Sequence, residues 1–503
     1  MRTLVYAAIC FFLSGAVPAF AGQFRAAGAN GVPDQYMVVL AEGAARKAPW
    51  PDELPDLDLP PVAAVAQTLA RRHGGAVIRV WENALTGFLV RMPAGRAQAL
   101  ARDPRVAFVE QDSMYLEPEW SSPVADCGAG TSGVLNNLRP LPTSSSSPQT
   151  ITCDDPDPSH DTTGAGQTPR CIDNWGLDRI DQRGAARDAR YYFDRTGSQY
   201  PWTVTVYVVD GGIYAGHREF LNDAGQSRVA PGYDATGGPT YACGLGSNTE
   251  DTTPHGHGTH VAGIIGGRTY GVAKNVRIVP VKIGCPDVAY HSWLVSGLDW
   301  IAGTSTIPSV VNWSGGNAVD WMSDPTIITA ARGVVNHGYL LVQSAGNQSQ
   351  AYAPMHPELV KDACNYSLGA TVAGAMIVGG SDERDGRWTR EASDPLFQSY
   401  ADVGDFGSNV GSCIDIWAPA AHVVSASKWG PWAYCRLSGT SMAAPHVTGA
   451  AALYLEAHPL ASVNEVTQAL INNATWGALD TNPSSWNRIG TGSPNVLLYS
   501  RVP

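Results

Sequence analysis

The sequence predicts an α/β protein with a mostly parallel sheet and helices on both of its faces, preceded by a small α+β domain. Short apolar runs at 276–283, 309–312 and 339–342 alternate with longer helical patterns at 325–337 and 463–473. This alternation is typical of parallel strands joined by crossover helices. The chain has 503 residues, of which 44% are hydrophobic and 54 are glycine, so it can form a large core and the many turns of such a fold.

A separate pattern within residues 35–112 predicts the smaller domain. Its order is strand, helix, strand, strand, helix, strand, which is typical of a ferredoxin-like α+β domain. The predicted segments are 36–40, 62–72, 76–80, 87–92, 96–102 and 106–110.

The first 21 residues have the composition of an export signal. Arg2 precedes an apolar stretch that runs through Val17, and Ala19-Phe20-Ala21 supplies the small residues of a cleavage site. The apolar run is too short to span a membrane as a helix. We therefore expect a secreted chain, extracellular or, in a host with an outer membrane, periplasmic, without a membrane anchor.

Charge and cysteine content agree with export. The formal net charge of −12 argues against a nucleic-acid partner. Of the nine cysteines, Cys10 lies in the leader, and the remaining even number suits disulfides formed in an oxidising compartment.

The run 439–446 is the strongest functional signal in the chain. It places Ser441 between the turn residue Gly439 and an alanine-rich helical pattern, and Pro445 suits the first turn of that helix. A serine at the positive end of a helix is a candidate nucleophile. An ordinary glycine–serine helix cap is the alternative interpretation of this run taken alone.

A nucleophilic hydroxyl needs a base, and the base needs a partner that fixes its tautomer. The buried-strand pattern 204–209 is followed at once by Asp210, which places a carboxylate at the carboxyl end of a strand, where sites in open α/β sheets lie. His257 begins a second small-residue helical pattern. Asp210 taken alone could also be a simple turn former.

Three sequence blocks resemble the signatures of the subtilisin-like serine proteases, the subtilases. The blocks are 257–263, which contains His257, 439–445, which contains Ser441, and 344–347, which ends in Asn347. The order Asp, His, Ser is also that of subtilisin. The resemblance implies a three-layer subtilisin-like fold and makes Asp210, His257 and Ser441 the catalytic triad. It makes Asn347 the side-chain donor of the oxyanion hole, and it requires no cofactor for the chemistry.

Features outside the triad resemble the proteinase K-like branch, which includes aqualysin-type enzymes. The blocks 175–181 and 492–499 resemble the beginning and the end of a mature catalytic domain in that branch. The resemblance also implies the disulfides Cys243 with Cys285 and Cys364 with Cys413. The remaining cysteines allow three connectivities that the sequence does not separate. They are Cys127, Cys153, Cys171 and Cys435.

The N-terminal third resembles the leader and propeptide of a subtilase zymogen. We expect a signal peptide at 1–21, an inhibitory and chaperone propeptide at 22–117, a connector rich in Cys, Ser and Pro at 118–172, and the catalytic domain at 173–503. The fate of the connector after processing stays open. An independent binding module is the alternative interpretation of the small domain.

The resemblance further implies a substrate-binding wall that pairs with the peptide main chain as an added strand, which favours broad specificity. The chain departs from the family at two places, with Gly315 where leucine is common and Gly211 where threonine or serine usually follows the catalytic aspartate. The residues implied for the wall are Trp313, Ser314, Gly315, Gly316, Ala345 and Gly346.

A structural calcium ion is also implied by the resemblance. Asp415 matches an aspartate ligand of the proteinase K-like strong site, which backbone carbonyls near Ala373 and Ala375 complete. Oxygen-only ligation suits calcium. A strand-end aspartate satisfied by local amides is the alternative interpretation.

The sequence thus predicts a secreted serine endopeptidase that acts on polypeptides, is inhibited by its own propeptide, and works as a monomer. Two alternatives use the same fold. One is a binding protein without turnover, and the other is an esterase or transpeptidase, which would turn over small esters without cleaving proteins.

Overall fold

The structure is a computed structural model, and it divides the chain into two units. The smaller unit comprises residues 1–80 and 86–111, and the larger comprises Trp81–Leu85 and Asp112–Pro503. The structure describes residues 22–45, 61–115, 149–152, 174–188, 190–199, 201–237, 243, 248–285, 288–315, 324–349, 360–389, 407–485 and 487–502.

The smaller unit has the ferredoxin-like order that the sequence predicts. Its main strands lie in the order β5-β2-β4-β3, the short β1 pairs with β5, and two helices complete the unit. Two predicted boundaries are wrong by several residues, since β2 begins earlier and β5 runs on to Tyr115. The elements are β1 (Gln23–Arg25), β2 (Gly31–Leu40), α1 (Pro61–Arg72), β3 (Ala76–Trp81), β4 (Gly87–Arg91), α2 (Ala94–Leu100) and β5 (Val106–Tyr115).

The larger unit is organised around a nine-stranded sheet in the order β11-β12-β10-β15-β16-β17-β18-β22-β21. All neighbouring pairs are parallel except β21 with β22, which confirms the predicted, largely parallel sheet. The strands are β10 (Thr205–Asp210), β11 (Tyr233–Asp234), β12 (Arg277–Lys282), β15 (Ser309–Trp313), β16 (Leu340–Ser344), β17 (Ala375–Ser381), β18 (Ile416–Pro419), β21 (Thr475–Trp476) and β22 (Val496–Leu497).

Helices cover this sheet, and short strand pairs lie outside it. The helices are α3 (Trp175–Ile180), α4 (His257–Gly266), α5 (His291–Gly303), α6 (Pro325–Asn336), α7 (Thr440–Ala457) and α8 (Val463–Asn473). The short pairs are β6 (Gln149–Thr152) with β7 (Arg190–Phe193), β8 (Ser198–Gln199) with β9 (Trp202–Thr203), β13 (Gly284–Cys285) with β14 (Val288–Tyr290), and β19 (Val423–Ala426) with β20 (Tyr434–Leu437).

Alternate residues of the strands face opposite layers, as the period of two along a strand requires. Val206 and Val208 of β10 belong to the core cluster that also contains Val261 of α4 and Met442 of α7. Tyr207, between them, contacts the ring of Trp300 in α5 on the other face. The sheet is therefore the middle layer of three, and α4 and α7 pack against each other on one side of it.

Local sequence explains where two of these helices begin. Asp324 caps α6 by accepting the N–H groups of Thr326 and Ile327, and Pro325 occupies the first helical position. The start of α8 is a capping box, in which Ser462 and Glu465 each accept a backbone N–H from the other. Within the part of the chain that the structure describes, no helix is long and apolar enough to cross a membrane.

Candidate active site

The predicted triad residues lie at the carboxyl edge of the sheet and at the beginnings of the two helices α4 and α7. Asp210 is the last residue of β10, His257 is the first residue of α4, and Ser441 is the second residue of α7. All three are almost fully buried, with 1%, 3% and 1% of their surfaces exposed. The three residues thus come from three elements that are far apart in the sequence.

Asp210 and His257 form a direct pair. The His257 Nδ1 atom lies 2.8 Å from Asp210 Oδ2, and the other carboxylate oxygen accepts the Gly211 N–H at 2.7 Å. A carboxylate at Nδ1 favours the tautomer with the proton on that nitrogen, so Nε2 becomes the basic nitrogen. This is the arrangement that a general base requires.

Glycine next to His257 is a steric requirement. A Cβ atom on Gly258 would lie 2.1 Å from the Gly212 carbonyl oxygen and 3.0 Å from Asp210 Oδ1. Because such separations are shorter than real contacts, any side chain at position 258 would push α4 away from Asp210. The close approach of the helix to the strand end depends on this glycine.

The departure at Gly211 also has a steric explanation. A Cβ atom at position 211 would lie 2.1 Å from the Cγ2 methyl of Thr253. Thr253 accepts the backbone N–H of His257 through Oγ1 at 2.8 Å. The methyl group of Thr253 therefore fills the space that a residue larger than glycine would need after Asp210.

Behind His257 lies a buried carboxylate, Asp251, that the sequence motifs do not single out. Its Oδ1 accepts the N–H and hydroxyl of Thr253 at 3.0 and 2.6 Å, and its Oδ2 accepts the N–H and hydroxyl of Thr259 at 2.8 and 2.6 Å. Burial raises the pKa of the Asp251 carboxyl, and the nearby charge of Asp210 raises it further. Asp251 thus ties the loop before His257 to the first turn of α4.

Two nitrogen atoms that can donate hydrogen bonds lie close to Gly439, near the beginning of α7. A Cβ atom on Gly439 would lie 3.3 Å from Asn347 Nδ2 and 3.8 Å from the Ser441 backbone nitrogen. Gly439 itself has a φ of +154°, which favours glycine. An oxygen atom near this position could accept a hydrogen bond from the amide side chain and from the main chain, as an oxyanion hole requires.

Two residues of the predicted substrate wall contact the first residues of α7, since the Ser314 hydroxyl donates to the Ser441 carbonyl at 2.9 Å and the Gly346 N–H donates to the Thr440 hydroxyl at 3.2 Å. Ser314 and Gly315 follow the end of β15, and Ala345 and Gly346 follow the end of β16. The indole of Trp313 is only 1% exposed, so the side chain belongs to the interior. Gly316 lies outside the described residues.

The structure forms the two disulfides that the sequence resemblance implies, Cys243–Cys285 and Cys364–Cys413. Cys435 is also disulfide-bonded. Cys127, Cys153 and Cys171 themselves lie outside the described residues.

Asp415, the residue implied as a calcium ligand, lies just before β18 and accepts a local backbone N–H, as the alternative interpretation of a strand-end aspartate satisfied by amides predicts. Its Oδ2 accepts the Ile377 N–H at 2.7 Å, and Ala373 and Ala375 lie four and two residues before Ile377 along the chain. Burial raises the pKa of Asp415 to about 6, although the hydrogen bond from Ile377 works in the opposite direction. No group of three acidic, His or Cys side chains that could hold a metal ion occurs in the described part of the chain, so a cation here would rely on carbonyl oxygens.

Comparison with known proteins identifies the family. A family model described as the subtilase family, Peptidase_S8, matches residues 203–492, which is more than half of the 503-residue chain. The chain belongs to the subtilase family. This subtilase is a subtilisin-like serine endopeptidase, as the sequence predicts.

Named relatives support the same assignment. The subtilase is 33% identical to an extracellular serine proteinase of Thermus sp. (strain Rt41A), across 93% of this chain and 90% of the relative. It is also 33% identical to alkaline serine exoprotease A of Vibrio alginolyticus, across 84% of this chain and 60% of that protein. This chain thus spans nearly the whole of one relative and about three fifths of the other.

Solved structures agree on the fold. A cold-adapted subtilisin-like serine proteinase is 34% identical and superposes with a TM-score of 0.50, covering 65% of this chain and 98% of that one. Fervidolysin from Fervidobacterium pennivorans, a keratinolytic enzyme related to subtilisin, is 16% identical with a TM-score of 0.56 and covers 96% of this chain and 63% of its own. The second likeness bears on the fold alone.

Proposed function

We propose that this subtilase is a secreted endopeptidase made as a self-processing zymogen, and that it hydrolyses peptide bonds through an acyl-enzyme on Ser441. The observation that carries the proposal is the pair of Asp210 and His257, joined at 2.8 Å, together with Ser441 at the beginning of the helix that packs against α4. Asn347 Nδ2 and the Ser441 backbone nitrogen both lie within 4 Å of the position that a Cβ atom on Gly439 would occupy.

The chemistry follows from these positions. His257 removes the hydroxyl proton of Ser441 as the oxygen attacks the peptide carbonyl, and it then gives that proton to the leaving amine. Asp210 orients the imidazole and stabilises its charged form. Asn347 Nδ2 and the Ser441 N–H stabilise the oxyanion, an effect worth about 3–4 kcal/mol for one such donor. Water then hydrolyses the acyl-enzyme by the same steps in reverse.

Substrate binding is proposed to use the main chain after β15 and β16. Ser314 and Gly315 on one side, and Ala345 and Gly346 on the other, would flank an extended peptide as neighbouring strands do. Main-chain pairing does not depend on side chains, and Gly315 leaves its side of the wall open, so the proposal includes broad specificity. Gly316 and Trp313 extend this wall in the sequence.

The smaller unit is proposed to be an inhibitory propeptide. Its ferredoxin-like topology supports this role. So do the contacts of residues 81–85 and of the segment that begins at Asp112, which adjoin the smaller unit in sequence but belong to the larger unit. Asp299 of α5 accepts the backbone N–H groups of Glu82, Asn83 and Ala84 at 3.3, 2.8 and 2.9 Å. These segments precede the proposed catalytic domain in the sequence and would be removed on maturation.

The segment that begins at Asp112 makes contacts suited to an inhibitory tail. The Asp112 carboxylate accepts the N–H and hydroxyl of Ser292, in the first turn of α5, at 3.0 and 2.6 Å. Met114 and Tyr115 then pair antiparallel with β14, which the main chain reaches soon after the carboxyl end of β12. An added strand at this edge is the geometry expected of a bound peptide.

We retain the domain boundaries proposed from the sequence, with a signal peptide at 1–21, a propeptide at 22–117, a connector at 118–172 and the catalytic domain at 173–503. The signal peptide and the connector lie almost entirely outside the described residues. A structural calcium ion bound by Asp415 and the carbonyls of Ala373 and Ala375 is part of the proposal. The mature enzyme is proposed to act as a monomer.

Expression of the full-length chain beside Ser441→Ala in an oxidising, exporting host tests the proposed function. The wild type should lose its N-terminal residues up to a point between Asp112 and Trp175 and should then cut casein. Ser441→Ala should stay unprocessed. If both proteins fold but remain full length and inert, the binding-protein alternative replaces this proposal, and turnover of small esters without casein cleavage would favour the esterase alternative.

A further inference from the structure

The backbone carbonyl of Ser441 lacks its normal helical partner. In an α-helix the carbonyl of residue 441 would accept the N–H of residue 445. Residue 445 is Pro445, which lies inside α7, five residues after Thr440, and not in the first turn as the sequence predicts. Proline has no N–H to donate. A buried carbonyl left without a donor is costly, so this position at the nucleophile calls for a donor from outside the helix.

Ser314 supplies that donor. Its hydroxyl donates to the Ser441 carbonyl at 2.9 Å. In return, the Ser314 carbonyl accepts the Ser441 hydroxyl at 3.3 Å. The two serines therefore hold each other through both their side chains and their main chains, and Ser314 is buried with 3% of its surface exposed.

Two further side chains continue this contact into the interior. Asn312 Nδ2 donates to the Ser314 hydroxyl oxygen at 2.9 Å, and the Thr448 hydroxyl donates to Asn312 Oδ1 at 2.9 Å. Asn312 and Thr448 have no exposed surface. Thr448 lies two turns after Ser441 in α7, so the chain of hydrogen bonds leaves the sheet layer and returns to the helix that carries the nucleophile.

The last acceptor, the Ser441 carbonyl, fixes the direction of every hydrogen bond in this series. A carbonyl can only accept, so Ser314 must donate its single proton to Ser441. Asn312 must then present its amide nitrogen to Ser314, which leaves its oxygen to accept from Thr448. The Thr448 hydroxyl also lies 3.1 Å from the Ala444 carbonyl, but the orientation toward Asn312 satisfies a fully buried amide oxygen.

We propose that Thr448, Asn312 and Ser314 form a positioning chain that fixes the peptide unit of Ser441 and thereby aims the nucleophile and its oxyanion-hole N–H. The proposal rests on the proposed function of Ser441. Successive hydrogen bonds that all point in one direction polarise one another. Loss of the bond from Thr448 should therefore weaken the bond that Ser314 donates to Ser441. Displacement of reacting groups by about 1 Å can cost about 100-fold in rate.

A set of four variants tests the positioning chain. Loss of one hydrogen bond typically changes an equilibrium or rate constant about two- to twelvefold. Ser314→Ala, which removes the bond to Ser441 itself, should lower kcat about tenfold, and Thr448→Val, at the far end, should lower it about threefold, both with KM within about twofold. The double variant should be no slower than Ser314→Ala, because one break already uncouples the chain. Thr448→Ser keeps the hydroxyl and should restore the wild-type kcat.

A matched control separates positioning from simple loss of a buried hydroxyl. Thr475 is 7% exposed, and its hydroxyl has no hydrogen-bond partner among the described residues. Thr475→Val makes the same chemical change away from the site and should leave kcat unchanged. Melting temperatures of all variants, measured with an active-site inhibitor bound, exclude losses caused by unfolding.

The kinetic outcomes decide the proposal. Independent, multiplicative losses in the double variant, a loss confined to KM, or Thr448→Ser as slow as Thr448→Val would each overturn it. Crystal structures of Ser314→Ala and the parent give a readout that does not need turnover. The Ser441 carbonyl should shift in the variant, and an unmoved carbonyl would overturn the positioning chain. A parent enzyme that cleaves no peptide would instead refute the proposed function, and the crystal structures would still decide this inference.

Discussion

The amide oxygen of Asn347 accepts two hydrogen bonds from Thr440, one from its backbone N–H at 2.9 Å and one from its hydroxyl at 2.7 Å. Because the side-chain amide is planar, these two bonds to its oxygen also fix the amide nitrogen, which lies on the side away from Thr440. Because Thr440 immediately precedes Ser441, the same residue that orients the Asn347 donor also begins the helix that carries the nucleophile. Thr440 therefore links the two proposed oxyanion-hole donors, the Asn347 amide and the Ser441 N–H.

Asn347→Leu should lower kcat by about 10²–10³-fold and leave KM nearly unchanged, because the donor acts on charge that develops in the transition state. Thr440→Val should cost less, since Asn347 keeps its bond to the Thr440 N–H. Steady-state hydrolysis of a chromogenic peptide measures both. A rise in KM with normal kcat for Asn347→Leu would assign Asn347 to ground-state binding instead.

Gly211→Ala should destabilise the protein by about 1–3 kcal/mol, which is typical of overpacking, because its methyl group would meet the Cγ2 methyl of Thr253. Thr253→Ser removes that methyl and keeps the hydroxyl that accepts the His257 N–H. Urea unfolding on the Ser441→Ala background avoids self-digestion. The double variant should regain most of the loss, and strictly additive effects would show that the two residues do not collide.

Calcium should stabilise the protein through Asp415. Binding to the folded state alone adds about 2.7 kcal/mol when the free ion is at 100 times its dissociation constant. The melting temperature of Ser441→Ala should therefore rise when calcium replaces a chelator, and that rise should shrink in the double variant with Asp415→Ala. An equal rise in both proteins would place any stabilising calcium elsewhere.

Asp181 should make stability depend on pH. Its carboxylate accepts the Tyr192 N–H, and burial, with smaller effects from Asp178 and Asp188, raises its pKa from 3.8 to about 7. The folded state then holds a proton more tightly than the unfolded state, so the free energy of unfolding should fall as pH rises from about 4 to about 7.

Asp181→Asn removes this titration and should flatten that part of the profile. The measurement is urea unfolding of Ser441→Ala, with and without Asp181→Asn, across this pH range in a buffer that contains a chelator. Identical slopes in the two proteins would contradict the assignment to Asp181.

Local motifs predict the parts of the site that depend on short stretches of chain. Asp210, His257, Asn347 and Ser441 each lie in a block whose strand end or helix start is visible in the sequence, and the structure brings Asp210 and His257 into contact. The alternation of apolar runs and helical patterns likewise predicts the parallel sheet, since each crossover leaves a local signature.

Contacts between distant segments are not visible in the same way. In the sequence, Asp251 is one acidic residue in a polar loop. In the folded protein it is buried and accepts hydrogen bonds from Thr253 and Thr259. Thr448 occupies an unremarkable helical position, and its partner Asn312 lies 136 residues away in sequence. Such residues are specified by tertiary packing, which composition and periodicity do not encode.

If Ser441 is the nucleophile of a peptide-hydrolysing site, it can be trapped covalently by a reagent that mimics the substrate carbonyl. The processed wild-type enzyme is treated with a fluorophosphonate, its casein hydrolysis is followed, and the modified peptide is identified by mass spectrometry. We expect one phosphonyl group, on Ser441, with activity lost in step with labelling and no reaction in His257→Ala. Labelling at another residue, or casein hydrolysis that survives complete labelling of Ser441, would contradict it.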